Sequence, residues 1–230
     1  MDLGLYIAAS GMVAEQTREA QLSNDLANAS TPGYKPEESP QHSFGEILLA
    51  NTATGQPVGT MNTGVQLGAT YVDLAPAGLQ STGQPLDFGI AGPGFFAVHT
   101  AQGVRYTRNG QFTTSASGQL VDGAGDPVLS QSGAPVKVED GTVPTGALGV
   151  FELKGAAKQG ENLFTGTPAG RATGTAHSGS LEESGVSPAR TMVDMIGSLR
   201  TFQSGQQAIQ AIDQTLQAAS TEVGSLTGSS

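Results

Sequence analysis

The clearest pattern in the chain is the helical spacing of apolar residues at its C-terminal end. After Pro188 there is no proline, and apolar side chains return every three or four residues as far as Leu226. This spacing places them on one face of an α-helix. Ser187 suits the N-cap position, and Pro188 fits the first helical position, where its missing N–H costs nothing. We predict a C-terminal helix over residues 187–226, of which residues 188–225 would extend roughly 57 Å.

The apolar face of this predicted helix is narrow, and a narrow seam on a long helix favours packing against a partner helix. The seam consists of Met192, Met195, Leu199, Phe202, Ile209, Ile212, Leu216, Ala219, Val223 and Leu226. Its three-four spacing continues to Ile209 only if Gln206 counts as a polar seam position. The three-residue step from Ile209 to Ile212 then predicts a stammer in the heptad pattern.

The first thirty residues carry a second seam with the same spacing. It consists of Leu5, Ala8, Met12, Glu15, Glu19, Leu22, Leu26 and Ala29, and it is apolar at both ends and acidic in the middle. Pro32 and Gly33 end the pattern, so we predict an N-terminal helix within residues 1–31. One interpretation is an antiparallel helical hairpin packed on a single domain. The other is that the terminal helices pair as a coiled coil with each other and with copies from neighbouring chains.

The residues after the first helix predict an extended linker over residues 32–64, because proline and glycine interrupt every local pattern. Within this linker, residues 44–49 fit a short helix or a packed turn, and residues 52–62 are interpreted as mobile. Alternation of apolar and polar residues begins at Val65 and predicts the first strand.

The middle of the chain predicts a central antiparallel all-β domain over residues 65–170. Its short strands are separated by turn signals every eight to twelve residues. We predict that Asn109-Gly110 is a two-residue hairpin turn in which both residues have positive φ. Further strands are predicted at residues 136–138 and 148–153, and residues 165–179 are predicted to cross back in an extended conformation. With a return segment over residues 171–186, the fold class is mixed α and β.

Composition and charge narrow the possible functions. The net charge of −10, with only ten lysines and arginines, argues against binding to nucleic acid or anionic lipid. Cysteine is absent, which excludes disulfides and thiolate metal sites. The first nine residues contain Asp2 and no basic residue, unlike the start of a signal peptide, and no apolar run approaches the ~18 residues of a membrane span. We therefore expect any export to proceed without a cleaved signal.

A search for catalytic and metal-binding patterns yields no candidate. His42, His99 and His177 are far apart in sequence, and no H-E-x-x-H, G-x-S-x-G or phosphate-binding glycine loop occurs. The acidic pairs Glu37-Glu38 and Glu182-Glu183 are interpreted as solvated charge, because adjacent residues of an extended segment point apart. We predict that the chain is not an enzyme and has no catalytic residue, cofactor or metal site.

Several stretches, in order along most of the chain, resemble the bacterial flagellar basal-body rod and hook protein family. Near the N-terminus they are Leu5–Met12 (LYIAASGM) and Leu22–Lys35 (LSNDLANASTPGYK). In the middle they are Gly92–Phe96 (GPGFF), Tyr106–Phe112 (YTRNGQF) and Gly160–Phe164 (GENLF). Near the C-terminus they are Gly179–Val186 (GSLEESGV) and Met192–Ile196 (MVDMI), followed by Ala208, Ile209 and Asp213.

The sequence also departs from the family pattern. Gly185 and Gly205 stand where the family usually has asparagine, Leu199 where it has glutamine, and Gln207 where it has lysine. Residues 32–64 fit poorly. The short length favours a rod protein over the hook protein, and within the rod the distal type is favoured over the proximal type.

The resemblance implies a structural subunit of the flagellar rod. Family members are exported unfolded by the flagellum-specific type III apparatus, without a cleaved signal, and reach the basal body beyond the inner membrane in the periplasm. They polymerise into a helical tube that transmits torque from motor to hook. In it the terminal helices line the inner wall, the β domain faces outward, and neighbouring rod and hook proteins are partners.

This resemblance gives the seam residues a role in subunit packing. The residues to which we assign this subunit-packing role are Leu5, Met12, Leu22, Leu26, Met192, Met195, Leu199, Phe202, Ile209, Ile212, Leu216 and Val223. Because isolated helices are marginal in water, we predict that both termini are largely disordered in the monomer and fold on assembly. The alternatives are a peptidoglycan hydrolase associated with the flagellum and a secreted binding module that uses the β domain.

Overall fold

The terminal helices and the β-rich middle are both present in the computed structural model, which describes residues 2–50, 56–160 and 162–227. Two compact units are formed, each from separate parts of the chain. The first contains Met1–Asn24, Glu38–Thr70 and Ala189–Ser230, and the second contains Asp25–Glu37 and Tyr71–Pro188. The first unit therefore holds nearly all of both helices and the strands between residues 38 and 70, and the second holds the other strands.

The two terminal helices confirm the predictions from apolar spacing. Helix α1 spans Asp2–Ala27 and helix α2 spans Pro188–Thr227, a length of 40 residues. Helix α1 is followed by turns over residues 28–33, in which Gly33 has a φ of 66°. Helix α1 thus ends before Pro32-Gly33, and the positive φ of Gly33 explains why glycine stands at that position, since positive φ disfavours residues with a Cβ.

The segment between α1 and the second unit forms a two-stranded ribbon rather than a weakly structured linker. After β1 (Glu37–Glu38), strand β2 (Gln41–Ser43) pairs with β5 (Val65–Leu67), and β3 (Glu46–Ala50) pairs with β4 (Pro57–Asn62). The prediction of a helix or packed turn at residues 44–49 is therefore wrong. Pairing with β4, rather than the pattern of these residues themselves, decides their conformation. Residues 51–55, most of the tip between β3 and β4, lie outside the described residues.

The second unit confirms the predicted antiparallel β architecture. Its strands are β6 (Tyr71–Val72), β7 (Leu79–Ser81), β8 (Phe88–Ala91), β9 (Phe95–Thr100), β10 (Gly103–Thr107), β11 (Thr113–Thr114), β12 (Leu120–Val121), β13 (Val128–Leu129), β14 (Val150–Lys158), β15 (Leu163–Arg171), β16 (Thr175–Ser178) and β17 (Ser180–Glu182). Strands β9, β10, β15 and β14 pair in a closed circuit, since β9 bonds to β10 along one edge and to β14 along the other. The small barrel closes over short stretches, since β14 pairs with β9 at Val150 and Phe151, and β15 pairs with β10 at Leu163 and Phe164.

Alternating side chains of the barrel strands fill the core of the second unit. Phe96 and Val98 of β9 point into one buried cluster with Phe88, Phe112 and Leu120. Alternate residues of the same strand, Phe95 and Ala97, point into a second cluster with Tyr106, Leu129 and Phe164. Both faces of β9 are therefore covered, which matches its nearly continuous apolar sequence.

Some local predictions in this unit are wrong. The strand predicted at residues 136–138 is not formed, and Lys137 makes only an isolated bridge to Gln119. Neither Asn109 nor Gly110 has positive φ, so these residues do not form the predicted hairpin turn. Gly110 is required for close approach, because a Cβ there would lie 1.6 Å from the carbonyl oxygen of Phe88. Residues 165–179 are largely extended, as predicted, but the prediction missed that they supply most of β15 and all of β16, the latter pairing with β8.

Candidate functional site

Three charged side chains from distant parts of the sequence meet in the interior of the second unit. We call Lys35, Arg108 and Glu182 the ion cluster. Glu182 ends β17, Arg108 follows β10, and Lys35 lies in the segment after α1. The carboxylate of Glu182 accepts hydrogen bonds from Lys35 Nζ at 2.7 Å and from Arg108 Nη1 at 2.8 Å. All three side chains are 0–1% exposed. Burial of charge at this depth is tolerated only where every ion has a partner.

Backbone and aromatic groups complete the surroundings of the ion cluster. The amide of Ala77 donates to Glu182 Oε1 at 2.9 Å, and Lys35 Nζ also donates to the carbonyl of Ala75 at 2.5 Å. The guanidinium carbon of Arg108 lies 5.2 Å from the ring centre of Phe95, within range of a cation–π interaction. The carboxylate of Glu182 is buried and already accepts hydrogen bonds from these donors. The ion cluster is therefore suited to holding together the three chain segments that carry its members.

The interpretation of Glu182-Glu183 as solvated charge is wrong for Glu182. The two side chains do point apart, but only Glu183 is exposed. Sequence reasoning missed the cluster because its members are 73 and 74 positions apart, as the residue numbers 35, 108 and 182 show. The available signal was that each of the three lies within one of the motifs that carry the family resemblance.

Gly33 holds the segment after α1 against the ion cluster. Its amide donates to the carbonyl of Glu182 at 2.9 Å, and its φ is 66°. A Cβ at this position would lie 2.3 Å from both the carbonyl carbon and oxygen of Arg108. Glycine is therefore required here on two grounds, conformation and space.

We expect Gly33→Ala to destabilise the second unit by about 2 to 4 kcal/mol, because backbone strain adds to a clash with backbone atoms that cannot rotate away. Denaturant unfolding followed by circular dichroism measures the loss. Gly118→Ala is the matched control, since Gly118 also has positive φ, 74°, but open space around it. A loss for Gly33→Ala no larger than that of the control would contradict the close-approach argument.

A second group of contacts joins the last turn of α1 to the residues that precede α2. The buried Tyr34 donates its hydroxyl to Asp25 Oδ1 at 2.9 Å, and Lys158 Nζ lies 4.0 Å from the ring centre of Tyr34. Burial raises the pKa of Asp25, while the Tyr34 hydrogen bond and the charge of Lys158 oppose the rise. Gly185 donates its amide to the carbonyl of Tyr34 at 2.9 Å. The points where the chain leaves α1 and enters α2 are thus fixed together.

In the first unit, α1 and α2 contact one another at three levels. Ser198 Oγ donates to Glu15 Oε2 at 2.6 Å, and the Cα of Gly205 faces Met12, so that a Cβ there would lie 2.8 Å from Met12 Cγ. A Cβ on Gly4 would lie 3.5 Å from Ile212 Cδ1. Positions early in α1 therefore face positions late in α2, which is the antiparallel order.

The covered face of α2 differs from the predicted seam. Its more buried positions are Thr191, Met195, Ser198, Phe202, Gly205, Ile209, Ile212 and Leu216, a spacing of four and three that never breaks. The predicted stammer is therefore absent from this face. The stammer follows only if the large apolar residues Met192 and Leu199 are placed on the seam. The buried positions are instead their neighbours Thr191 and Ser198, which are small and partly polar.

The predicted seam residues fall into two groups. Those that are partly buried are Leu5, Met12, Leu22, Leu26, Met195, Phe202, Ile209, Ile212 and Leu216. Met192 and Leu199 are exposed, by 50% and 41%. The side chain of Val223 lies outside the described residues. Whether any of them packs between subunits stays a prediction.

The described part of each helix also carries exposed apolar side chains. On α2 these are Met192, Val193, Ile196 and Leu199, and on α1 they are Leu3, Tyr6 and Val13. The residues on α2 lie within two turns of one another, so they form one patch, which we call the outer patch. No helix among the described residues is long and apolar enough to cross a membrane, and no group of three or more described His, Asp or Glu side chains is placed to hold a metal ion.

The fold and these contacts define a class of protein with a small β barrel and two terminal helices, in which the segments that follow α1 and precede α2 are hydrogen-bonded to one another. Three family descriptions match this chain. "Flagella basal body rod protein" matches residues 5–35, "Flagellar hook protein FlgE/F/G D1 domain" matches residues 89–151, and "Flagellar basal body rod FlgEFG protein C-terminal" matches residues 177–222. Each matched segment contributes one member of the ion cluster.

Similar proteins agree with these matches. The chain is 30% identical to the flagellar hook-basal body complex protein FlhO of Bacillus subtilis, over 97% of this chain and 99% of the relative. It is 31% identical to the flagellar basal-body rod protein FlgF of Caulobacter vibrioides, over 89% of this chain and 91% of the relative. It is 30% identical to the flagellar basal-body rod protein FlgG of Bacillus subtilis, over 93% and 96%.

The chain belongs to the flagellar basal-body rod protein family. This membership makes it a structural component of the basal body that associates with other rod and hook components. The predicted family resemblance is thereby confirmed.

Proposed function

We propose that this protein is a self-assembling subunit of the flagellar rod, forming a helical tube that transmits torque from motor to hook. The observation that carries the proposal is the outer patch. Met192, Val193, Ile196 and Leu199 are 41–68% exposed on a helix whose opposite face already contacts α1. A grouped apolar surface of this kind marks a site of protein–protein contact.

The length of α2 supports a filament rather than a closed oligomer. A helix of 40 residues extends about 60 Å, so contacts made along it reach copies displaced along its axis. A head-to-tail contact whose rotation does not close generates a helical filament. We propose that α1 and α2 pair as a short antiparallel coiled coil, and that this pair presents the outer patch to neighbouring copies.

The state of the termini before assembly is part of the proposal. Few apolar side chains of α1 and α2 are fully covered in the described chain, and Ala14 is the one buried hydrophobic residue recorded for either helix. Helices covered this sparsely gain little stability from packing within their own chain. We therefore propose that both helices are largely disordered in the monomer and become ordered on assembly, after passage through the flagellum-specific type III export apparatus.

Within the rod, we propose the distal position, next to the hook. A fluorescent or electron-dense tag on the exposed turn at Gly118 should then lie at the hook end of isolated basal bodies. A tag found at the membrane end would contradict the distal position while leaving the rod assignment intact.

Removal of residues 1–30 tests the proposed function. A strain whose own copy is deleted should swim when it carries the full chain, and the truncated chain should reduce swimming and complete basal bodies at least tenfold. A secreted binding module would instead keep its ligand after the truncation, because its β domain is intact. Normal numbers of basal bodies with the truncated chain would rule out assembly through the terminal helices.

A further inference from the structure

We propose that two matched contacts set the register of α1 against α2. One is a match in polarity, between Glu15 and Ser198, and the other is a match in size, between Met12 and Gly205. The proposal rests on the proposed function only in that the aligned helix pair is the surface offered to other copies. According to this proposal, these four residues favour one antiparallel alignment of α1 and α2 over the others.

The polar contact is buried. Glu15 and Ser198 are 7% and 3% exposed, and Ser198 Oγ donates to Glu15 Oε2 at 2.6 Å. Gln41 of the ribbon reaches the other carboxylate oxygen, Oε1, at 3.4 Å. A buried carboxylate without donors is strongly unfavourable, so registers that remove the hydroxyl are disfavoured. A single polar position in an apolar seam is known to select register in this way, at some loss of stability.

The size contact lies one heptad further along α2. Gly205 has no side chain, and a Cβ there would lie 2.8 Å from Met12 Cγ and 3.4 Å from Met12 Sδ. The thioether therefore fills the space that any larger residue at position 205 would need. Glycine lowers helix propensity relative to alanine, and this close contact explains why it is present at position 205.

The two contacts together exclude a slip by seven residues in either direction. If Glu15 faced Gly205, the carboxylate would lose its hydroxyl donor, and Met12 would meet the large side chain of Ile212. If Glu15 faced Thr191, a hydroxyl would remain, but Met12 would meet Ser198 and Gly4 would face Gly205. The second slip leaves a cavity between two glycines, and cavities destabilise a packed interface.

Disulfide trapping in the full chain tests the proposal, because the sequence has no cysteine of its own. The pair Gly4→Cys and Ile212→Cys reports the observed register, since a Cβ on Gly4 would lie 3.5 Å from the Ile212 side chain. The pair Gly4→Cys and Ala219→Cys reports the slip by one heptad. Oxidation captures even a transient helix pair, and a non-reducing gel of the monomer band gives the ratio of the two products.

In the native background we expect the Ile212 product to exceed the Ala219 product at least tenfold. With Glu15→Leu, Ser198→Leu and Gly205→Leu combined, the ratio should fall to within threefold of one. The matched control adds three leucines at exposed positions of α2, Gln203→Leu, Gln207→Leu and Gln210→Leu, and should keep the tenfold preference. A milder variant, Ser198→Ala with Glu15→Gln, should give an intermediate ratio and guards against loss of folding in the triple variant.

An unchanged ratio in both the triple and the mild variant would overturn the proposal, as would a native background in which the Ile212 product does not form. The ratio of the two disulfide products does not depend on assembly, because it is measured in the monomer band. A chain that keeps its register but fails to support swimming would count against the proposed function alone.

Discussion

Glu182→Gln is expected to lower the free energy of unfolding of the second unit by about 3 to 5 kcal/mol. The substitution preserves the shape of the side chain but leaves Lys35 and Arg108 buried without a counter-charge. Their side chains are 0% and 1% exposed, so water cannot replace the lost carboxylate. Urea unfolding followed by circular dichroism in the β-sheet region gives the change.

Two comparisons separate loss of the ion pair from a general effect of substitution. Glu183→Gln changes the neighbouring carboxylate, which is exposed, and should alter stability by less than about 0.5 kcal/mol. Replacing all three members of the ion cluster by methionine should recover much of the loss, because a buried ion triad can often be exchanged for apolar side chains at little cost. If Glu182→Gln behaved like Glu183→Gln, the ion cluster would not be what holds these segments together.

The two terminal helices and the antiparallel character of the middle could be predicted from the sequence because each follows from local spacing. The apolar period near 3.6 residues in α2 and the alternation after Val65 need no knowledge of distant residues. The same method failed for β3 and for residues 165–171 of β15, because pairing with the neighbouring strand, β4 or β14, decides their conformation rather than their own pattern.

The inward face of α2 shows a different limit of sequence reasoning. A ranking by hydrophobicity selects Met192 and Leu199, whereas the covered positions are Thr191 and Ser198. Small and hydroxyl-bearing residues permit close approach or donate a hydrogen bond, so helix contacts can favour them over larger apolar side chains. A test of heptad regularity would have found them, because only the choice of Thr191, Ser198 and Gly205 gives an unbroken spacing of three and four.

The ion cluster could not have been predicted as a site from one sequence. Lysine, arginine and glutamate are mostly exposed in proteins, and nothing in the local sequence marks Lys35, Arg108 and Glu182 as exceptions. Pro32 and Gly33 did indicate the end of the helical pattern, but the close approach of Gly33 to the backbone of Arg108 requires the folded structure.

Met192→Asp combined with Leu199→Asp is expected to abolish assembly while leaving the isolated chain folded. Both side chains are exposed, so the charges do not enter the contact between α1 and α2 or the core of the second unit. On assembly, however, contact between the outer patch and a neighbouring copy would bury the new carboxylates, and burial of an unpaired carboxylate costs several kcal/mol. We expect swimming and the number of complete basal bodies to fall at least tenfold, with an unchanged unfolding transition of the purified chain.

Gln203→Asp combined with Gln207→Asp is the matched control, because it adds the same charge at exposed polar positions of the same helix. This control should assemble normally. Ile209→Asp and Leu216→Asp should also stop assembly, but through a different cause, since both residues are partly buried on the face of α2 that contacts α1. Disulfide trapping between positions 4 and 212 should therefore be lost in Ile209→Asp and kept in the Met192–Leu199 double variant. Normal rods from that double variant would show that the outer patch faces solvent in the assembled structure, and would transfer the subunit contact to another surface.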